Sequence, residues 1–134
     1  MKDGLEKSNL VIAKILRFAS KHGVSEWTLK FGDLDLDKSY KKHFGPCILW
    51  LEAEGIIRVG NYGKSPLGRL GGIARDISLT SKGMALLGED IVVDGRRISL
   101  ARAVAEESQG SEGVYRIGEL IGGIFGGAFK SMGS

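Results

Sequence analysis

Three features of the sequence predict an α+β fold that is mostly helical. Residues 54–58, Glu-Gly-Ile-Ile-Arg, read as the end of a helix passing into a strand. Residues 73–83, Ile-Ala-Arg-Asp-Ile-Ser-Leu-Thr-Ser-Lys-Gly, read as a returning strand followed by the capped start of another helix. Upstream, between residues 5 and 20, apolar side chains recur at the spacing of one helical face.

Composition sets the frame for those elements. The chain has 134 residues, 43% of them hydrophobic and 26% charged, which suits one globular domain able to bury a core without staples. A formal net charge of +3 permits a polyanionic partner without demanding one. A single cysteine, Cys47, excludes an intramolecular disulfide. With no secretory leader in this sequence, a cytoplasmic location is the expectation. No apolar run approaches the ~20 residues needed to span a bilayer. Glycine is in excess, 21 of 134, against an average of about 7%, and it concentrates in the hairpin and near the C-terminus.

Taken in order, the first helix carries Leu5, Ile12, Ile15, Leu16 and Ala19 on one face, with Val11 and Phe18 beside them. Lys2, Lys7, Lys14, Arg17 and Lys21 take the other face. Gly23 is its stop, and Lys21 and His22 suit the negative end of the helix. Residues 27–31 alternate and can form a short strand. Asp35 or Asp37 is placed to cap a following helix. From Lys38 the chain runs through Tyr40, Phe44, Ile48, Leu49, Leu51 and Ala53, with Pro46 inside the run. The expectation is a break near Gly45-Pro46, giving a short helix and a second one over 46–54 that stops at Gly55. Residues 56–59 and 73–79 are strands, joined by a glycine-rich loop over 60–72. Thr80 or Ser81 caps a helix that bears Met84, Leu86 and Leu87 and ends at Gly88. Asp94-Gly95 either turns a tight hairpin or lies in a loop or short extended piece before a helix capped at Ser99; the loop is preferred.

This layout is that of a winged helix-turn-helix. His43-Phe44, then Trp50-Leu51-Glu52-Ala53-Glu54-Gly55-Ile56-Ile57-Arg58, resembles the recognition helix and first wing strand of winged-helix regulators of the multiple-antibiotic-resistance and phenolic-acid-repressor type. Ile77-Ser78-Leu79-Thr80-Ser81-Lys82-Gly83 resembles their second wing strand and next helix start. The resemblance covers roughly residues 5–88 and extends to small bacterial and prophage proteins of the same layout. It divides the chain into a winged-helix domain over 1–88, a connecting segment with a helix over 89–113, and a glycine-rich amphipathic helical extension over 114–134.

In such regulators the recognition helix enters the major groove and the wing meets the backbone or minor groove. The resemblance therefore implies duplex DNA as partner, with Lys41, Lys42 and His43 at the helix start and Arg58, Lys64, Arg69 and Arg75 in the wing. Between residues 58 and 75 those four cations meet no acidic residue. Against this, the helix over 46–54 offers no Arg, Asn or Gln for base readout. Glu52 and Glu54 would repel phosphate if they faced it.

In the C-terminal extension, Ile117, Leu120, Ile121, Ile124, Phe125, Ala128 and Phe129 form an apolar stripe, with glycines at 118, 122 and 126 and at 123 and 127 alongside. It can dock on its own domain, self-associate or touch a membrane surface, but it is too short for stable membrane insertion. The regulator resemblance favours self-association into a homodimer through Ile117, Leu120, Ile121, Ile124, Phe125 and Phe129.

Other chemistries find little support. Gly63-Lys64-Ser65 lacks the upstream glycine of a phosphate loop, since Arg58 stands there, and Pro66 follows directly. Asp33, Asp35 and Asp37 lack the glycine and glutamate of a calcium loop. Two histidines and one cysteine, widely spaced, suggest no metal, and no Ser–His–Asp spacing suggests an enzyme; no cofactor is expected. Two functions stay open: a DNA-binding winged-helix protein acting as a transcriptional regulator, and a winged-helix interaction module that works through its C-terminal helix without nucleic acid.

Overall fold

The computed structural model describes residues 4–64, 70–93 and 95–107. Helix α1, Gly4–His22, comes first. Strand β1, Trp27–Lys30, alternates buried and exposed side chains, as the short-strand reading of this stretch requires. Two 3-10 turns follow, Phe31–Leu34 and Lys38–Tyr40. Helix α2 is Lys41–Ala53. A hairpin of β2, Ile57–Lys64, and β3, Leu70–Leu79, leads to helix α3, Ser81–Leu87. A second hairpin of β4, Asp90–Val93, and β5, Arg96–Ser99, leads to helix α4, Leu100–Glu107. The fold is thus mixed α+β, with four helices and two small antiparallel sheets among the described residues.

The larger sheet has the order β1-β3-β2. In the hairpin Ile57 pairs with Leu79, Val59 with Ile77 and Asn61 with Arg75. On the other side of β3, Trp27 pairs with Ile77 and Leu29 with Ala74, so the register slips by one residue. The extra residue is taken up near Asp76, whose φ of 55° is left-handed, a conformation aspartate tolerates better than most residues. That bulge keeps both Ala74 and Ile77 in the core.

Among the described residues one core joins the four helices and both sheets. Leu10, Val11, Ile15 and Leu16 of α1 meet Phe44, Ile48 and Leu51 of α2, Leu29 of β1 and Ile77 of β3. Leu86 and Leu87 of α3, Ile91 and Ile98 of the second hairpin, and Leu100, Ala103 and Val104 of α4 belong to the same cluster. The stretch expected to be a connecting segment therefore contributes core.

The structure departs from the sequence expectation in four places. First, α2 does not break at Gly45-Pro46. Pro46 deprives the Lys42 carbonyl of its helical donor. Both residues are exposed, however, so that carbonyl lies on the water side, while buried Phe44, Cys47, Ile48 and Leu51 hold the other face in place. Second, residues 90–99 form a hairpin instead of a loop. Ile91 pairs with Ile98 and both are buried; Gly95 supplies a φ of +79°. The helix start at Ser99 is as expected, with its hydroxyl accepting the Arg102 N–H at 3.2 Å. Third, the ribbon is longer than 56–59 and 73–79. Pairing continues through Tyr62–Ala74 to Lys64–Leu70, because a backbone ladder tolerates the glycines of this stretch. Fourth, Asp37 caps a 3-10 turn, accepting the Ser39 N–H at 2.7 Å, and no regular helix begins until Lys41.

The helix ends were more legible. Gly55 has a φ of +78°, and the Ile56 N–H reaches back to the Leu51 carbonyl at 2.9 Å, closing α2 with a left-handed stop. Thr80 caps α3 by accepting the Gly83 N–H at 2.9 Å. Lys21 and His22 stand in the last turn of α1 as expected, and the ring of His22 also stacks on Trp27 at 5.1 Å and 14°.

Candidate nucleic-acid interface

The start of α2 lies against the β2–β3 hairpin. A methyl group placed on Gly72 of β3 would sit 3.5 Å from Cε of Lys41 and 3.7 Å from Cβ of Phe31. The Lys41 side chain therefore runs across the hairpin strand, and its ammonium stays exposed. Lys42 is exposed beside it. Lys30, paired with Ile73 at the edge of the sheet, and Lys38, in the 3-10 turn before α2, are exposed cations that the sequence reading did not single out. Their signal was topological: neither belongs to the helix or the hairpin, and only β1 pairing and the turn before α2 bring them near.

On the hairpin, Arg58 pairs with Ser78 and Arg75 with Asn61, and both arginines are exposed. Lys64 ends β2, where its backbone pairs with Leu70. Arg69 lies outside the described residues, as do Ile117, Leu120, Ile121, Ile124, Phe125 and Phe129 of the expected oligomerisation stripe.

His43 separates from its two lysine neighbours. It is half-buried and turned toward α1, with Nδ1 3.4 Å from the Ser8 hydroxyl. Its Nε2 is sealed from solvent and has no hydrogen-bond partner. Burial, and then the charges of Lys42 and Lys7, hold its pKa below the usual histidine value. The imidazole thus sits between helices instead of reaching outward with the lysines.

Of the two glutamates that would repel phosphate if they faced it, Glu52 and Glu54, the structure ties down Glu52. Its Oε2 accepts the Val59 N–H at 3.2 Å, covering the free edge of β2 from α2. Asp33 likewise accepts the Lys30 N–H at 2.9 Å. Asp76 is an acidic neighbour that a count ending at Arg75 leaves out: its Cβ lies 2.7 Å from where a Gly60 methyl would be, so its carboxylate stands on the ribbon among the arginines.

Cys47 is buried, with Sγ 3.7 Å from the Ser8 carbonyl, and burial pushes its thiol pKa up to about 11. The low-pKa thiolate that reactivity requires is therefore missing. Among the described residues no group of three or more His, Cys, Asp and Glu could hold a metal ion, and no helix is long and apolar enough to cross a membrane. An open depression of about 400 Å³ between the end of α1 and α4 is lined by Arg17, Phe18, Ser20, Lys21 and Ala105, where the Ser20 hydroxyl donates to the Arg17 carbonyl at 2.9 Å.

No protein-family model, curated protein or solved structure matches this chain.

Proposed function

We propose that this protein is a cytoplasmic winged-helix DNA-binding protein acting as a transcriptional regulator, and that it works as a homodimer. The order helix, strand, helix, two-stranded ribbon, with β3 central in the sheet, supports the winged-helix reading. Two 3-10 turns stand where a helix-turn-helix places its first helix. The observation that carries the DNA reading is the Lys41 side chain lying across Gly72. It sets the basic helix start against the ribbon, and on this reading the exposed cations of these elements, Lys30, Lys38, Lys41, Lys42, Arg58 and Arg75, neutralise phosphates of one duplex. Arg69 and Lys64 extend the same ribbon in sequence. No catalytic step and no cofactor enter this reading.

Binding of a fluorescent 20-base-pair random duplex, followed by anisotropy across salt concentrations, tests it. Each phosphate neutralised contributes about −0.9 to the slope of log K against log salt. Four to six contacts therefore give a slope of roughly −4 to −5, and replacing both Lys42 and Arg75 by alanine should flatten it by about 2. No binding at low ionic strength would end the proposal. The competing reading, an interaction module working through 114–134, rests on residues outside those described. Truncation after Ser111, set beside Arg69→Ala, tests it: on that reading the truncation abolishes assembly, the full chain binds no duplex and the wing substitution changes nothing measurable.

A further inference from the structure

The outward face of α2 carries a consequence for what such a protein can recognise. Lys42, Pro46, Leu49 and Ala53 are all exposed, Leu49 by 47%. At 100° per residue these four fall within about 60° of arc, a single narrow stripe facing water. Hydrogen-bonded readout of a base pair in the major groove takes Arg or Lys on guanine and Asn or Gln on adenine, whereas an apolar side chain meets only the thymine methyl. Past Lys42 the stripe offers a proline, a leucine and an alanine. The residues flanking it do not repair this. Glu52 is engaged by the Val59 N–H, and Trp50 is half-buried. On the ribbon, Arg58, Asn61 and Arg75 can hydrogen-bond to bases, but a ribbon in the minor groove meets a pattern that separates A·T from G·C and little else.

We infer that this surface binds duplex DNA through its backbone and that α2 does not read base sequence, the stripe Pro46-Leu49-Ala53 making apolar contact alone. The inference rests on the DNA-binding reading and narrows its ligand: B-form duplex of any sequence, with discrimination confined to A·T against G·C content. The missing element is chemical, so a single side chain should restore it. A well-placed bidentate pair discriminates by roughly five- to 150-fold.

The test is selection from a random duplex pool with the full chain, followed by affinities for a panel of defined duplexes of equal length. The wild type should enrich no consensus, and its affinities across the panel should agree within about threefold at equal base composition. Lys42→Ala should weaken every duplex by the same factor. Leu49→Arg should spread the panel at least fivefold in favour of duplexes with guanine at one position. A consensus enriched by the wild type, or a Leu49→Arg variant that binds all duplexes alike, overturns the inference while leaving DNA binding intact. Absence of binding to every duplex at low salt overturns the DNA-binding reading itself and the inference with it.

Discussion

At the scale of single residues, two contacts decide more than composition suggests. Gly83 is the third residue of α3, where alanine is ordinarily better than glycine by about 1 kcal/mol. Here a β-carbon would stand 2.2 Å from the Ile56 carbonyl oxygen and 2.8 Å from Leu79 Cδ2. The same Ile56 carbonyl accepts the Thr80 N–H at 3.1 Å, and the Thr80 hydroxyl bonds the Gly55 and Ile56 carbonyls, so the backbone cannot back away without loosening the cap. The overpacking term, roughly 1–3 kcal/mol, should win. Gly83→Ala is expected to lower stability by about 1–2 kcal/mol in urea denaturation, and a gain would refute the close approach. His43 makes the second case. A proton on Nδ1 faces the Ser8 hydroxyl and leaves Nε2 a bare acceptor; protonating Nε2 creates a sealed N–H with no acceptor. The folded pKa therefore lies below the unfolded value of about 6.5. The unfolded chain takes up the proton first, so the contribution is fully present above about pH 6.5 and is lost as pH falls through the folded pKa. Melting temperatures between pH 7 and 5 should fall less steeply for His43→Gln than for the wild type; parallel curves would show that the imidazole titrates freely.

Among the elements, α2 shows both what the sequence made legible and where it misled. Its end at Gly55 was readable because a left-handed stop leaves a residue-level signature. So was the start of α3, where Thr80 and Gly83 each answer a local backbone need. The continuity of α2 through Pro46 was not. Propensity counts the lost hydrogen bond, whereas the outcome depends on whether Phe44, Cys47, Ile48 and Leu51 find a shared core, which is a tertiary fact. The β4–β5 hairpin was missed for a related reason. Ile91 and Ile98 are too few to define a period, and their burial comes from α4 folding back on α1. For the candidate interface, the sequence named the cations of the helix and ribbon. The exposed positions of Lys30 and Lys38, the inward turn of His43 and the restraint of Glu52 needed the packing. Since Pro46 is tolerated in α2 instead of required by it, Pro46→Ala should restore the donor to the Lys42 carbonyl and raise stability. The size is on the order of 1–3 kcal/mol, because proline costs about 3 kcal/mol relative to alanine inside a helix and its rigidity in the unfolded chain offsets part of that. Equilibrium unfolding with an unchanged m-value would show it; a loss of stability would mean that the fixed backbone angle of Pro46 supports α2 by more than the missing hydrogen bond costs.

For the molecule as a whole, the question is where the cooperative unit ends. The regulator resemblance stops near Gly88, and a boundary there would make 1–88 an independent domain. The packing argues otherwise. Ile91, Ile98, Leu100 and Val104 are each at most 8% exposed and belong to the same cluster as Leu10, Ile15 and Phe44. Full burial of an aliphatic side chain of this size contributes roughly 1.5–3 kcal/mol, so these four supply about 6–12 kcal/mol before the entropy of ordering them. A domain's net stability is itself about 5–15 kcal/mol. Removing residues 89–134 also uncovers the α1 surface on which α4 lies, adding exposed apolar area to the lost contacts. Exposed pairs do not alter the balance: Arg96 and Arg102 hold Glu106 at 3.3 and 2.7 Å on the surface, where such contacts are worth little. A fragment of residues 1–88 is therefore expected to lack a cooperative thermal transition and a dispersed amide spectrum. A fragment of residues 1–107 should keep both, because it retains every side chain of the described core. If 1–88 alone melts cooperatively near the temperature of the longer fragment, then the second hairpin and α4 are appended to a complete domain, and the candidate interface can be studied without them.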